Sequence, residues 1–225
     1  MANRTGTYIA FHAGGTTDPT ASDIKYYNVL KAWDANNDID FSFVNSHDKT
    51  SAVRDSSKWA TLQARLKERL NMSKNFLLIV TADTKLDTDC VPFEIRYGVD
   101  DCKLPIIAAY PDYKAVLFPN LLSGLWPAAL ASRIGNKTAT VLHIPFCKEA
   151  VLHAITNYSL HDIKKLRAGS NQYTEATHRS WGLLAQCEAA DRNYPKPPTS
   201  RTLLTGLQIP AKKDEGNWWN GLRIK

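Results

Sequence analysis

No apolar run in this sequence reaches the roughly 18 residues that a membrane-spanning helix requires, so no such helix is expected. The opening residues, "MANRTGTYIAFHAGG", have no apolar core long enough for a signal peptide, and a cytoplasmic location is expected. Cysteine is sparse. Cys90, Cys102, Cys147 and Cys187 show neither CxxC nor CxxC/HxxxH spacing, so free buried thiols are expected and a metal site is not. There is no GxGxxG, no P-loop lysine and no internal repeat. Basic runs are also missing. Residues 1–110 carry 13 Lys/Arg against 14 Asp/Glu, and residues 111–225 carry 15 against 8, so the net charge of +6 sits in the second half. Yet no run exceeds "KK" and no aromatics interleave with basic residues, so dispersed surface charge is expected rather than nucleic-acid binding.

What is present is an alternation of apolar runs and amphipathic segments. "TYIAF" (7–11) reads as a buried strand entering the Gly-containing turn "HAGGTT". Ser22 and Asp23 are placed to cap a helix carrying Ile24, Tyr27, Val29, Leu30 and Trp33. "IDFSFV" (39–44) alternates like a strand, and 45–57 reads as an exposed polar loop. Trp59, Leu62, Leu66 and Leu70 recur at helical spacing. "NFLLIV" (75–80), "LPIIAAY" (104–110) and "ATVLHIPF" (139–146) read as further strands. Helices are predicted around "VPFEI", in "NLLSGLWPAALASRI" with a break at Pro127, and over 147–158. Continuous apolar strands alternating with helices predict a flavodoxin-like, doubly wound α/β fold with a five-stranded parallel sheet over residues 1–160. Residues 161–225, proline-rich and polar beyond a possible helix at 173–190, predict a helical and irregular C-terminal extension.

In an open parallel sheet, ligands bind outside the carboxyl ends of the strands. The segments there are "FHAGGTT", "NSHDKTSAV" and "TADTKLDTDC", and the helix carrying Glu94 starts just beyond the last. His12, Ser46, His47, Thr81, Thr84 and Glu94 can therefore face a common cleft. Glu94 is a carboxylate among Val91, Pro92, Phe93 and Ile95, where a solvated helix face would suit it better. It either faces that cleft and does chemistry or pairs with Arg96 or Lys103 at the surface.

Three motifs in this order, Phe11-His12, Thr81 with Thr84, and Phe93-Glu94-Ile95, resemble the TIR-like domains of bacterial antiphage defence, in particular the TIR proteins of Thoeris systems. The likeness runs over roughly residues 5–110 in motif order, is loose to 158 and silent after that. It implies a TIR-like NAD+ glycohydrolase or cyclase with NAD+ as substrate, no separate cofactor and no metal. Its ADP-ribose-derived product would act on a separate effector protein. It also implies a homo-oligomer, catalysis by Glu94, and ligand contacts from Phe11, His12, Ser46 and His47 (in the loop that gates such sites), Thr81 and Thr84. Trp59 is either core or a stacking platform for a base.

The chemistry suits one carboxylate. Cleaving an N-ribosyl bond builds positive charge on the ribose, as in glycoside hydrolysis. Nicotinamide already leaves as a neutral base and needs no proton, so a single anion that steadies the ribosyl cation is enough. Two other readings compete: a non-catalytic TIR-like interaction module, and a nucleoside deoxyribosyltransferase-like enzyme, which also uses a glutamate on a flavodoxin-like sheet.

Overall fold

The structure, a computed structural model, describes residues 4–16, 18–35, 43–44 and 56–184. Strands β1 (Gly6–Ala10), β2 (Phe43–Val44), β3 (Ser73–Ile79), β4 (Ile106–Tyr110), β5 (Thr140–Pro145) and β6 (Gly169–Gln172) form one sheet in the order β2-β1-β3-β4-β5-β6. Every pairing is parallel. The order is flavodoxin-like over the first five strands, as the apolar runs predict, and reverses direction between β1 and β3.

β6 is the departure. It falls in the segment expected to be helical and irregular, yet it pairs with β5 from Thr140↔Gly169 to His143↔Gln172. Its sequence, GSNQ, has no apolar period, so its strand state comes from ladder hydrogen bonds to a neighbour.

The helices cover both faces. α1 (Ile24–Asp34) and α5 (Lys148–Asn157) lie over the layer formed by Ile9, Phe11, Leu77, Ile79, Ile107, Ala109, Leu142 and Ile144. α2 (Ser56–Met72), α3 (Cys90–Arg96) and α4 (Ala128–Gly135) lie over the layer formed by Tyr8, Ala10, Phe76, Leu78, Ile106, Ala108, Tyr110 and Val141. Two layers on one sheet follow from central strands whose apolar runs supply side chains to both faces, such as Phe76–Ile79 of β3 and Ile106–Tyr110 of β4. The predicted break at Pro127 is real: a 3-10 turn, Pro119–Leu125, precedes it and α4 starts just after it. α6 (Glu175–Ser180) is short; it ends at Gly182, whose φ of +71° suits glycine.

α3 positions the site. Pro92 sits in its first turn, where a missing N–H costs nothing. Asp87 anchors the start, its Oδ1 accepting from the backbone N–H groups of Asp89 (3.0 Å) and Val91 (3.2 Å). A π-helical turn, Tyr97–Asp101, continues from its end. At Gly98 a Cβ would meet the Phe76 ring at 3.0 Å, so a larger residue would require that ring or this turn to shift by a few tenths of an ångström.

Candidate functional site

Glu94 lies on the inner face of α3, over β1. Its side chain is 1% exposed. The Tyr8 hydroxyl donates to Oε1 at 2.6 Å, while Oε2 is buried with no hydrogen-bond partner among the described residues. This excludes the surface pairing with Arg96 or Lys103; the Lys103 ammonium donates instead to the Asp100 carbonyl. It also differs from an open cleft wall, because the carboxyl is enclosed by the core beneath α3. Burial pushes Glu94 up to about 8; the Tyr8 hydrogen bond opposes the rise and the charge of Asp87 adds to it. Tyr8 is itself held well above its ordinary value, by burial first and then by Glu94.

Helical side chains lean toward the helix N-terminus. α3 starts at the carboxyl rim of the sheet, so Glu94 leans toward that rim. Cys90, one turn nearer, is half-buried, and Asp87 lies at the rim. The Cys90 thiol is pushed up to about 12 by burial and by Glu94, Asp87 and Asp89, so it is a neutral group and no nucleophile.

His12 is at the rim as expected, and its Nδ1 meets Asp87 Oδ2 at 3.3 Å. Thr81 and Thr84 are there too, but their hydroxyls are engaged. Thr81 donates to Asp23 Oδ1 at 2.9 Å and Thr84 to Asp23 Oδ2 at 3.2 Å. The His12 N–H donates to the same carboxylate at 3.4 Å. Asp23, which helix-start rules assign to capping α1, makes no side-chain cap; its carboxylate ties the ends of β1 and β3 together at the point where strand order reverses. Burial raises its pKa, and these three donors oppose the rise. Ser22 likewise gives its hydroxyl to the His12 carbonyl, at 2.5 Å. Beside this knot, Ser22, Asp23, Lys25, Tyr26, Thr81, Ala82, Asp83 and Asp112 line a small cleft of about 190 Å³.

Phe11 is brought elsewhere. It is 3% exposed and stacks on Tyr27, at 4.9 Å between centroids, in the layer on the opposite face of the sheet from Glu94. Trp59 is half-buried on α2, with its ring edge-on to Phe93 of α3 at 5.8 Å, so it stands next to the site's helix. Ser46 and His47 lie outside the described residues. Among the described residues no group of three or more His, Cys, Asp or Glu is arranged to hold a metal ion. Cys90, Cys102 and Cys147 are free.

Sequence reasoning missed Tyr8, Asp23 and Asp87. Tyr8 reads as one more apolar strand residue, and Asp87 as one of several loop acids. The available signal was partial: Cys90 and Glu94 stand at i and i+4 on one face of α3, while Asp87 lies in the loop before it.

A flavodoxin-like parallel sheet with a buried carboxylate on the helix after its third strand is an α/β architecture consistent with a TIR-like domain. Residues 8–116 match the family model described as Thoeris protein ThsB, TIR-like domain. The matched stretch, a little under half of the chain, is similar to that Thoeris TIR-like domain and holds Tyr8, His12, Asp23, Thr81, Thr84, Asp87 and Glu94.

Proposed function

We propose that this chain cleaves the nicotinamide–ribose bond of NAD+ and yields an ADP-ribose-derived signalling nucleotide for a separate effector in antiphage defence. The observation that carries this reading is the split environment of the Glu94 carboxyl: Tyr8 holds one oxygen, and the other is buried and unmet. A buried acceptor without a donor is costly, and a ribose hydroxyl is a donor of the right kind. When the C1′–N bond breaks, its electron pair leaves with nicotinamide and positive charge spreads over C1′ and the ring oxygen. Ionised Glu94 opposes that charge in a poorly screened site. Water then captures C1′ and gives ADP-ribose, or a hydroxyl of the adenosine half captures it and gives a cyclic product; either O–H nucleophile releases one proton as the C1′–O bond forms.

Enclosure holds Glu94 neutral at pH 7. Entry of substrate hydroxyls lowers its pKa by supplying the missing donors; because the carboxyl is enclosed, that entry is expected to depend on a trigger or on assembly into a homo-oligomer. The reading places the protein in the cytoplasm with NAD+ as substrate, no separate cofactor, and His12 and Trp59 beside the ligand.

One observation favours a second reading. A glutamate 1% exposed can serve as a buried pin of a non-catalytic interaction module. Incubation with NAD+ and lysate from phage-infected cells, followed by mass spectrometry, separates the two. Nicotinamide release that Glu94→Gln abolishes supports the enzyme. Inertness under every trigger, with self-association intact in Glu94→Gln, supports the module.

A further inference from the structure

Tyr8 carries a hydroxyl that its packing does not require. The ring is wholly buried, edge-on to Phe76 at 5.3 Å, a place that phenylalanine fills equally well. A phenol buried in an apolar layer is costly unless its O–H is bonded, and here it is bonded to Glu94 Oε1. The carboxyl therefore has one fastened oxygen and one unmet oxygen. Side chains of a helix tilt toward its N-terminus, and α3 starts at the sheet's carboxyl rim, where His12 meets Asp87.

We propose that Tyr8 is the positioning residue of Glu94: its hydroxyl holds Oε1 so that Oε2 is the oxygen offered to a ribose hydroxyl of the ligand. This rests on the reading of Glu94 as the group that meets NAD+. The charged and titratable neighbours are few. Tyr8 faces Glu94 from β1, Asp87 from the loop before α3, and Cys90 from α3 itself, while Arg69 of α2 acts on Tyr8. Of these, Tyr8 favours the ionised carboxylate and Asp87 opposes it. Removing the hydroxyl leaves burial and Asp87 unopposed.

The test uses the full chain with glutamate labelled with 13C at the carboxyl carbon. The Glu94 signal is assigned by its loss in Glu94→Gln. In Tyr8→Phe its titration midpoint should rise by about one pH unit or more, the effect of losing a hydrogen bond to a charged group. Replacing Tyr8 with a ring-fluorinated tyrosine, a stronger donor, should lower it; this arm stands even where Tyr8→Phe folds poorly. Unchanged midpoints in both variants overturn the proposal. A second arm follows NAD+ consumption against pH with the trigger present. The acidic limb of kcat/KM should move with the carbon midpoint, and kcat should fall more than KM changes. A limb that stays put while the midpoint moves also overturns the positioning role. Shifted midpoints without turnover in any variant sustain the Tyr8–Glu94 coupling and count against NAD+ chemistry.

Discussion

Two tyrosine-paired ionisable groups are buried on the same face of the sheet, and they differ instructively. At one end Tyr8 donates to Glu94 at 2.6 Å. At the other Tyr110 and the His143 Nδ1 lie 2.7 Å apart. Each group keeps one buried atom without a partner among the described residues, Oε2 of Glu94 and Nε2 of His143. Burial drives them in opposite directions, Glu94 up to about 8 and His143 down to about 3, so both are neutral at pH 7. The surroundings diverge. Around His143, the Trp126 indole N–H donates to the Tyr110 oxygen at 2.8 Å and the indole stacks on the imidazole at 5.2 Å. Those neighbours are aromatic rings, from the buried Tyr110 to the half-buried Trp126. Glu94 is aligned with Cys90 and Asp87 toward the rim, where Asp87 meets His12. The family match covers the first pair and stops at residue 116, before Trp126 and His143. A buried ionisable group marks a candidate site only when its neighbours lead outward; alone it is equally a core pin.

The largest expected effect is on turnover. Glu94→Gln should lower NAD+ consumption on the order of 10²–10³-fold or more, read as nicotinamide release. A comparable loss in a His143 variant that remains folded would erase the distinction between the two pairs.

Stability against pH sharpens it next, because the two groups act with opposite sign. Folded Glu94 holds its proton up to about 8, against an ordinary value of 4.5. Its contribution is full below 4.5 and is lost as pH rises to about 8. Folded His143 refuses a proton down to about 3, against an ordinary 6.5, so its contribution is full above 6.5 and is lost as pH falls toward 3. Urea unfolding across pH should show both limbs, each on the order of a few kcal/mol. Glu94→Gln should flatten the alkaline limb only.

Trp126→Ala should cost about 3 kcal/mol in urea unfolding, from lost stacking and a lost hydrogen bond, with turnover per folded molecule retained. The smallest effect is at the rim. Asp23→Asn turns an amide donor toward Thr81, Thr84 or the His12 N–H and should cost about 1–2 kcal/mol, with Tm as the readout.

Much of this was legible in the chain. The largely apolar stretches at 75–80 and 104–110 gave β3 and β4 to within two residues at each end, because strands covered on both faces show no alternation to misread. The helix around Glu94 was legible from its flanking strands. β6 was not, since GSNQ carries no period and an edge strand is held by its neighbour's backbone. Among site residues, the rim placement of His12, Thr81 and Thr84 followed from strand order. Their partners did not: the Thr81 and Thr84 hydroxyls turn to Asp23, 58 and 61 residues away in the chain. Phe11 follows the strand's period of two into the opposite layer, away from Glu94.

The amino-acid order by itself determined the alternation of strands and helices, the parallel sheet with two covered faces, and the presence of a carboxylate on the helix after β3. Local periodicity and apolar content are enough for that. Only the tertiary structure decided that Tyr8 meets Glu94 across 86 residues of chain, that one carboxylate oxygen is left without a donor, and that Asp23 ties strand ends instead of capping a helix. Those depend on side-chain direction and on which polar groups remain unpaired once water is excluded, and neither is encoded in any short stretch.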